Sequence, residues 1–168
     1  MSDQSRLDGV RVLVVDDIRS VLDVVTDMLE CYGAAVTAVD SAEEALDVLQ
    51  REHPDVLLSD LSMPGKGGYW LIGQVRALSP GLGGATPAAA LTADTAAEDR
   101  ASVIRAGFQY HVAKPVGIEE LVDVVAILAL KEQPSGRLVD RDRGRNSSRR
   151  SASPHDDVGR EFSRPGPE

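Results

Sequence analysis

The sequence predicts an α/β domain in which five parallel strands form one sheet and five helices cover both of its faces. Between about residue 8 and residue 132, five short apolar runs alternate with five segments whose apolar residues recur three and four positions apart. Continuous apolar runs are typical of parallel strands buried on both faces, and the second spacing is that of amphipathic helices. Right-handed crossovers between such strands then give a doubly wound sheet.

The first three elements are a strand, a helix and a second strand. Val10–Val15 is nearly all apolar and predicts a buried strand. Apolar residues then recur at helical spacing from Ile18 to Leu29, and Gly33 is placed to end this helix because glycine favours the left-handed position after a helix. Ala35–Val39 predicts the second strand.

The middle of the chain repeats the alternation. Ser41, followed three residues later by Glu44, forms a capping-box pattern that predicts a second helix extending to about Glu52. Val56–Ser59 predicts the third strand. After a loop rich in proline and glycine, apolar residues at helical spacing over 71–78 predict the third helix.

The last two strand–helix units complete the pattern. Ala88–Leu91 predicts the fourth strand, and Thr95 with Glu98 is a second capping-box pattern that begins the fourth helix. Tyr110–Ala113 predicts the fifth strand, and Ile118–Ala129 has the apolar spacing of a fifth helix.

Charge separates a folded part of the chain from a tail. Residues 1–133 carry 10 Lys and Arg against 21 Asp and Glu, and residues 134–168 carry 8 against 6, within a formal net charge of −9. The second segment has few large apolar residues and cannot bury enough surface to offset its ordering entropy. We therefore predict an N-terminal extension over 1–7, one domain over 8–132 and a disordered tail over 133–168.

Composition argues against several classes of protein. The apolar run Val124–Leu130 is far shorter than the ~20 residues of a transmembrane helix, and the N-terminus lacks the apolar stretch of a secretory signal. The single cysteine, Cys31, fits a reducing cytosol, so we expect a cytoplasmic protein with no membrane partner. The acidic balance argues against nucleic-acid binding by the domain, and the tail has few aromatics for base stacking.

The polar residues that follow the predicted strands are the candidates for chemistry, because ligands bind at the carboxyl ends of strands in such sheets. They are Asp16 and Asp17 after the first strand, Asp60 after the third, Thr92 after the fourth and Lys114 after the fifth. Each alone has an ordinary structural explanation, since aspartate caps helices and begins turns, and lysine is common on surfaces. Together they predict one acidic site with one amine.

This set of side chains favours magnesium and phosphoryl chemistry. Three neighbouring carboxylates repel one another unless a cation is present, and oxygen ligands at a half-open site suit Mg²⁺. Asp60 has the chemistry of a nucleophile that forms an aspartyl phosphate, with Lys114 and the Thr92 hydroxyl neutralising the phosphoryl oxygens. The small Ala93 leaves the approach open. Neither a dinucleotide-binding glycine turn after the first strand nor a Walker-type loop is present.

Four stretches keep these residues in a characteristic order: VRVLVVDD (10–17), DVLLSDLSMPGKGGYWLIGQVRAL (55–78), ALTA (90–93) and AGFQYHVAKPV (106–116). Over about residues 11–130 the chain resembles the receiver domain of two-component response regulators, and the last stretch is most similar to receivers of hybrid sensor kinases. The resemblance implies a chemotaxis-regulator-like, flavodoxin-like sheet with strand order 2-1-3-4-5.

The resemblance also implies which residues hold the metal and the phosphoryl group. Asp60 matches the phosphoacceptor and a Mg²⁺ ligand. Asp17 matches a direct ligand, Asp16 a ligand acting mainly through water, and Ser62 the residue whose backbone carbonyl binds the metal.

Further positions match phosphoryl-contacting and switch residues. Thr92, Ala93 and Lys114 match the positions that contact the phosphoryl group, and Lys114–Pro115 matches a cis peptide bond. Thr92 and His111 match the switch pair that changes the face formed by helix 4, strand 5 and helix 5.

The chain departs from the family pattern at several positions. Lys66 stands where methionine is common and Gly67 where many receivers have aspartate, so this loop has different contacts or mobility. His111 replaces the commoner tyrosine or phenylalanine, which makes switching pH-sensitive or uses the ring only for its shape. Ser62 and Asp94 match positions that tune phosphoryl lifetime.

The first hypothesis for function is therefore a phosphoacceptor module rather than an enzyme with its own substrate. A sensor histidine kinase or a phosphotransfer protein would donate to Asp60, and a downstream protein would bind the helix 4–strand 5–helix 5 face, with homodimerisation on phosphorylation left open. The alternatives are a Mg²⁺-dependent aspartyl-phosphate phosphohydrolase, which would need a second carboxylate where Ser62 stands, and a scaffold that acts without phosphorylation.

Overall fold

The computed structural model describes residues 3–93 and 97–131 of the 168-residue chain. The strands are β1 Arg11–Val15, β2 Ala35–Val39, β3 Val56–Asp60, β4 Ala88–Thr92 and β5 Tyr110–Ala113. The helices are α1 Arg19–Glu30, α2 Ala42–Glu52, α3 Gly68–Ala77, α4 Ala97–Ala106 and α5 Ile118–Lys131. All strand pairs are parallel, in the order β2-β1-β3-β4-β5, which confirms the predicted fold.

The sheet separates two apolar layers because neighbouring strand residues point to opposite faces. In β1, Val12 and Val14 pack with α1 and α5, whereas Leu13 and Val15 pack with α2 and α3. Both layers are almost free of solvent. β3 and β4 are buried along their whole length, so the polar residues at their carboxyl ends are held by strands that cannot easily shift.

The predicted helix boundaries agree closely with the structure where it describes them, except that α3 begins at Gly68, three residues before its first predicted position at Leu71. The Ser41 hydroxyl accepts a hydrogen bond from the Glu44 backbone N–H at 3.3 Å and begins α2 as predicted. Gly33 has φ +94° and lies just beyond α1, which ends at Glu30. The predicted cap at Thr95 lies outside the described residues, as does the predicted tail over 133–168.

The amino end of the domain differs from the prediction. Leu7, which the sequence places in an extension, is fully buried in the layer under α1 and α5. Its backbone N–H donates to the Tyr32 carbonyl oxygen at 2.9 Å. The packed region therefore begins earlier than predicted. The sequence did not indicate this, because a single apolar residue in a polar segment shows no periodicity.

The guanidinium of Arg76, in the last turn of α3, forms a set of hydrogen bonds, the Arg76 brace, at the edge of the sheet opposite to the strand carboxyl ends. The guanidinium donates to the carbonyl oxygen of Gly107 at 3.0 and 2.8 Å, and to those of Gly84 and Thr86 at 2.9 and 2.7 Å. The brace joins α3 to the segment before β4 and to the end of α4. None of the helices in the described part of the chain is long and apolar enough to cross a membrane.

Candidate functional site

Asp16 and Asp60 are brought together by neighbouring strands. Val15 pairs with Ser59 across β1 and β3, so the residue after β1 lies beside the last residue of β3. Asp16 is fully buried and Asp60 is 4% exposed. One oxygen of each of these carboxylates and of the exposed Asp17 lies within 4.8 Å of the others. The prediction that three carboxylates meet at one edge is confirmed.

The two oxygens of Asp16 have different partners. Oδ1 accepts a hydrogen bond from the backbone N–H of Ile18 at 2.9 Å, beside the start of α1. Oδ2 accepts one from the Lys114 ammonium at 2.8 Å. The interpretation of this aspartate as a helix cap is wrong, because the N-cap of α1 is Ile18 and no side chain caps that helix. Asp16 instead forms a turn through Oδ1 and joins the site through Oδ2.

Lys114 reaches the carboxylates from the end of β5. Its backbone N–H donates to the Thr92 carbonyl oxygen at 2.8 Å, and the Lys114–Pro115 bond is cis, as the resemblance implies. The ammonium lies 3.3 Å from Asp60 Oδ1 as well as contacting Asp16. One amine thus bridges carboxylates from two strands.

The other predicted site residues belong to β4 and β5 or follow β4. Thr92 is buried at the end of β4, and Ala93 beside it is exposed, so both stand at the same edge. His111 is half-buried inside β5, paired in register with Ala90, and is not part of the carboxylate cluster. Asp94 lies outside the described residues.

Ser62 stands in the loop between β3 and α3 and is exposed. Its backbone N–H lowers the pKa of the Asp60 carboxyl, so the Ser62 backbone lies near that side chain. The metal contact through the Ser62 carbonyl, which the resemblance implies, stays a prediction. The position of this loop therefore bears directly on Asp60.

The electrostatic surroundings change the titration of both central groups. Burial raises the pKa of the Asp60 carboxyl, and the charge of Asp16 raises it further, against the opposing effects of Lys114 and the Ser62 N–H. Burial by itself lowers the pKa of Lys114, but its hydrogen bond to Asp16 and the charges of both carboxylates raise that pKa overall. Lys114 therefore stays charged at neutral pH, and one ammonium does not fully compensate the carboxylates.

The donor set fits a hard divalent cation. Its side-chain donors are carboxylate oxygens, it carries more negative charge than Lys114 balances, and Asp17 leaves one side open to solvent. Mg²⁺ prefers such oxygen ligands and keeps several of its waters. Asp16, Asp17 and Asp60 are the side chains that would hold it.

A cleft that the sequence did not predict adjoins Asp17. It has a volume of about 440 Å³ and lies between the start of α2 and the β3–α3 loop, with Asp40, Glu43 and Lys66 among its lining residues. The sequence singled out Lys66 as a departure from the family pattern. It did not indicate which residues Lys66 contacts, because those residues lie on other secondary-structure elements.

The chain is similar to one protein-family model and to proteins of several bacteria. The family model described as the response regulator receiver domain matches residues 12–126. A 14.6 kDa protein of Leptolyngbya boryana is 44% identical over 123 residues, which are 73% of this chain and 92% of that protein. The response regulator protein FleR of Pseudomonas aeruginosa is 37% identical over 124 residues, 74% of this chain but only 25% of FleR.

Solved structures agree with the sequence matches. The receiver domain of Francisella response regulator 1452 superposes with a TM-score of 0.68 at 27% identity, covering 73% of this chain and 98% of that one. The Vibrio cholerae chemotaxis protein CheY4 superposes with a TM-score of 0.66 at 28% identity, covering 71% of this chain and 98% of that one.

Proposed function

The chain belongs to the response regulator receiver family, and from this membership we propose that Asp60 accepts a phosphoryl group from a histidine kinase or a phosphotransfer protein. The observation that carries the proposal is the single ammonium of Lys114 bridging Asp16 and the buried Asp60 at the strand ends. Receiver domains are signalling domains, so we propose that Asp60 stores the phosphoryl group and that no separate substrate is turned over.

The transfer step uses one oxygen of Asp60 as the nucleophile. This oxygen attacks phosphorus of a phosphohistidine, the new O–P bond forms an acyl phosphate, and the P–N bond breaks with its electron pair left on the imidazole nitrogen. Lys114 favours the ionised form of Asp60 against the opposing effect of burial, and it offers its ammonium to the phosphoryl oxygens. The Thr92 hydroxyl, at the end of the neighbouring strand, supplies a further donor.

In this proposal Mg²⁺ would be held by Asp16, Asp17, Asp60 and the backbone carbonyl of Ser62. The ion supplies positive charge that offsets the repulsion between the carboxylates and the incoming phosphoryl oxygens. Asp16 keeps Lys114 in position through Oδ2 while its Oδ1 remains tied to the Ile18 N–H.

The output follows from the charge added at Asp60. We propose that Thr92 and His111 transmit it to the face formed by α4, β5 and α5, where a downstream protein or a second copy binds. α4 and α5 expose the large apolar residues Ile104 and Ile127, which suit a protein contact. With its one cysteine the chain fits a reducing compartment, and we place it in the cytoplasm.

The deciding experiment is phosphoryl incorporation into the full chain from radiolabelled acetyl phosphate with and without MgCl₂. We expect Mg²⁺-dependent, acid-stable and base-labile label in the wild type and none in Asp60→Asn. Asp47→Asn, which removes an exposed carboxylate on α2, is the matched control and should label like the wild type. Label retained by Asp60→Asn would assign the acceptor to another residue.

A further inference from the structure

The loop between β3 and α3 closes tightly on the backbone of the phosphoacceptor. The Gly68 N–H donates to the Leu61 carbonyl oxygen at 3.2 Å. A Cβ on Gly68 would lie 2.4 Å from the Asp60 carbonyl oxygen, and one on Gly67 would lie 2.7 Å from that of Leu61. Only glycine fits at either position, so the base of the loop is locked against the end of β3.

The far side of the same loop is held by a side chain. Lys66 pairs with Glu43 in the first turn of α2 at 2.5 Å, and its ammonium lies 4.6 Å from the centre of the Trp70 ring on α3. Lys66 therefore contacts two helices from the loop that joins β3 to one of them. The contact is half-exposed, with 49% of the Lys66 side chain and 65% of the Glu43 side chain accessible.

Between these two attachments lies Ser62, whose backbone is near enough to the Asp60 carboxyl for its N–H to lower the pKa of that group. A loop fixed at its base alone could still tilt at Gly65, which has φ +74° and open space around its α-carbon. The bridge from Lys66 to Glu43 lies just beyond Gly65 and opposes that motion.

We propose that Lys66 is a positioning residue for the phosphoryl-transfer site: by pairing with Glu43 and Trp70 it fixes the loop that presents the Ser62 backbone to Asp60 and to the cation. This inference rests on the function proposed for Asp60. It assigns a role to Lys66, a position at which the sequence departs from its family.

A purely electrostatic role for Lys66 makes the opposite prediction. Lys66 lines the same cleft as Asp17, so removing its positive charge should strengthen Mg²⁺ binding, and removing the negative charge of Glu43 should weaken it. A positioning role requires that both substitutions weaken binding, because either one breaks the bridge. The double variant separates the two explanations further, since its net charge equals that of the wild type.

The experiment measures Mg²⁺ affinity by titration calorimetry. It also measures hydrogen exchange of the Gly68 amide, which donates to the Leu61 carbonyl at the base of the loop, without Mg²⁺ and in the full chain. Lys66→Met and Glu43→Gln should each weaken Mg²⁺ binding and speed exchange about three-fold, the scale of an exposed ion pair, and the double variant should add nothing. Lys66→Arg should keep both properties. Glu44→Gln, one residue from Glu43 and outside the bridge, reports the effect of charge alone.

Opposite effects of the two single variants on Mg²⁺ affinity, with the double variant at the wild-type value, would overturn the proposal. Unchanged exchange of the loop in Lys66→Met would overturn it as well. If Asp60 of the wild type takes up no label, the proposed function fails, but the exchange measurement still decides whether Lys66 holds the loop.

Discussion

Lys114 is bound more closely to Asp16 than to Asp60, at 2.8 Å against 3.3 Å. Asp16 is fully buried, and the Lys114 ammonium pairs with it inside the protein. A divalent cation at the same edge would bind the same carboxylates. In the function proposed above, Lys114 would therefore oppose binding of the cation while assisting transfer of the phosphoryl group.

Replacing Lys114 should therefore change the two properties in opposite directions. We expect Lys114→Met to bind Mg²⁺ more tightly, on the order of ten-fold, because a nearby positive charge is removed. Phosphoryl incorporation at Asp60 should slow about 100-fold, because the donor to the phosphoryl oxygens is lost. Titration calorimetry and the rate of labelling by acetyl phosphate measure the two effects.

Arg51→Met is the control for this charge change, since Arg51 is an exposed cation in the last turn of α2. It should leave both the affinity and the rate at wild-type values. Weaker Mg²⁺ binding by Lys114→Met would show that the ammonium organises the carboxylates for the ion and does not compete with it.

The folded domain should be less stable when Asp60 is ionised. Burial and the charge of Asp16 raise the pKa of Asp60 in the folded state above its unfolded value of 3.8. Folding then favours the protonated form, so this group's contribution to stability is fully present below about pH 3.8 and is lost as the pH rises through the raised pKa. At neutral pH without Mg²⁺, the ionised carboxylate destabilises the domain.

Asp60→Asn is accordingly expected to be more stable than the wild type at pH 7.5 in EDTA, on the order of 1 kcal/mol. The difference should shrink as the pH falls toward 4, because protonation of Asp60 removes the charge that distinguishes the two side chains. Urea unfolding followed by circular dichroism at the two pH values measures it. A variant less stable than the wild type at pH 7.5 would contradict the sign of the shift.

The strand-end residues of the site were predictable because they depend on topology alone. Once parallel strands are inferred from apolar runs, Asp16 and Asp60 must emerge at one edge, and Lys114 follows the last strand on the same side. The predicted third and fourth strands each stop one residue short, at Ser59 and Leu91. Asp60 and Thr92 are in fact strand residues, because their backbones continue the ladder even though their side chains are polar.

The contacts that hold the site's surroundings were not predictable from the pattern. Glu43 and Lys66 are 23 residues apart, and they meet only after α2 and α3 pack side by side. Arg76 reads as an ordinary charged residue near a helix end, yet its guanidinium reaches Gly107, which is 31 residues away. Such pairs depend on side-chain reach across elements, and periodicity carries no information about that reach.

The Arg76 brace should be a large contributor to stability. Arg76→Met removes several charge-assisted hydrogen bonds and leaves part-buried carbonyl oxygens without their donor, which should lower the free energy of unfolding by about 3 kcal/mol. Arg76→Lys should recover little of it, because one ammonium cannot reproduce the planar fork of a guanidinium. Urea unfolding tests both, and Arg51→Met, which removes an exposed arginine from the same turn of another helix, should change it by less than about 0.5 kcal/mol.

Two glycines of α3 offer the same chemical change with opposite expected results. At Gly73 a Cβ meets nothing within 4 Å, so Gly73→Ala should raise the free energy of unfolding by about 1 kcal/mol through helix propensity. At Gly68 a Cβ would lie 2.4 Å from the Asp60 carbonyl oxygen, a backbone atom that cannot turn away. Gly68→Ala should lower stability by about 1–3 kcal/mol and slow labelling of Asp60, because the loop or the end of β3 must shift.

Measuring unfolding and labelling for both variants separates the steric effect at Gly68 from the effect of alanine on helix propensity. Because the helix is the same, any general sensitivity of α3 to alanine would appear in Gly73→Ala as well. Normal labelling and stability of Gly68→Ala would show that the loop can move away from Asp60 at no cost. In that case the close approach of the loop would not contribute to the geometry of the acceptor.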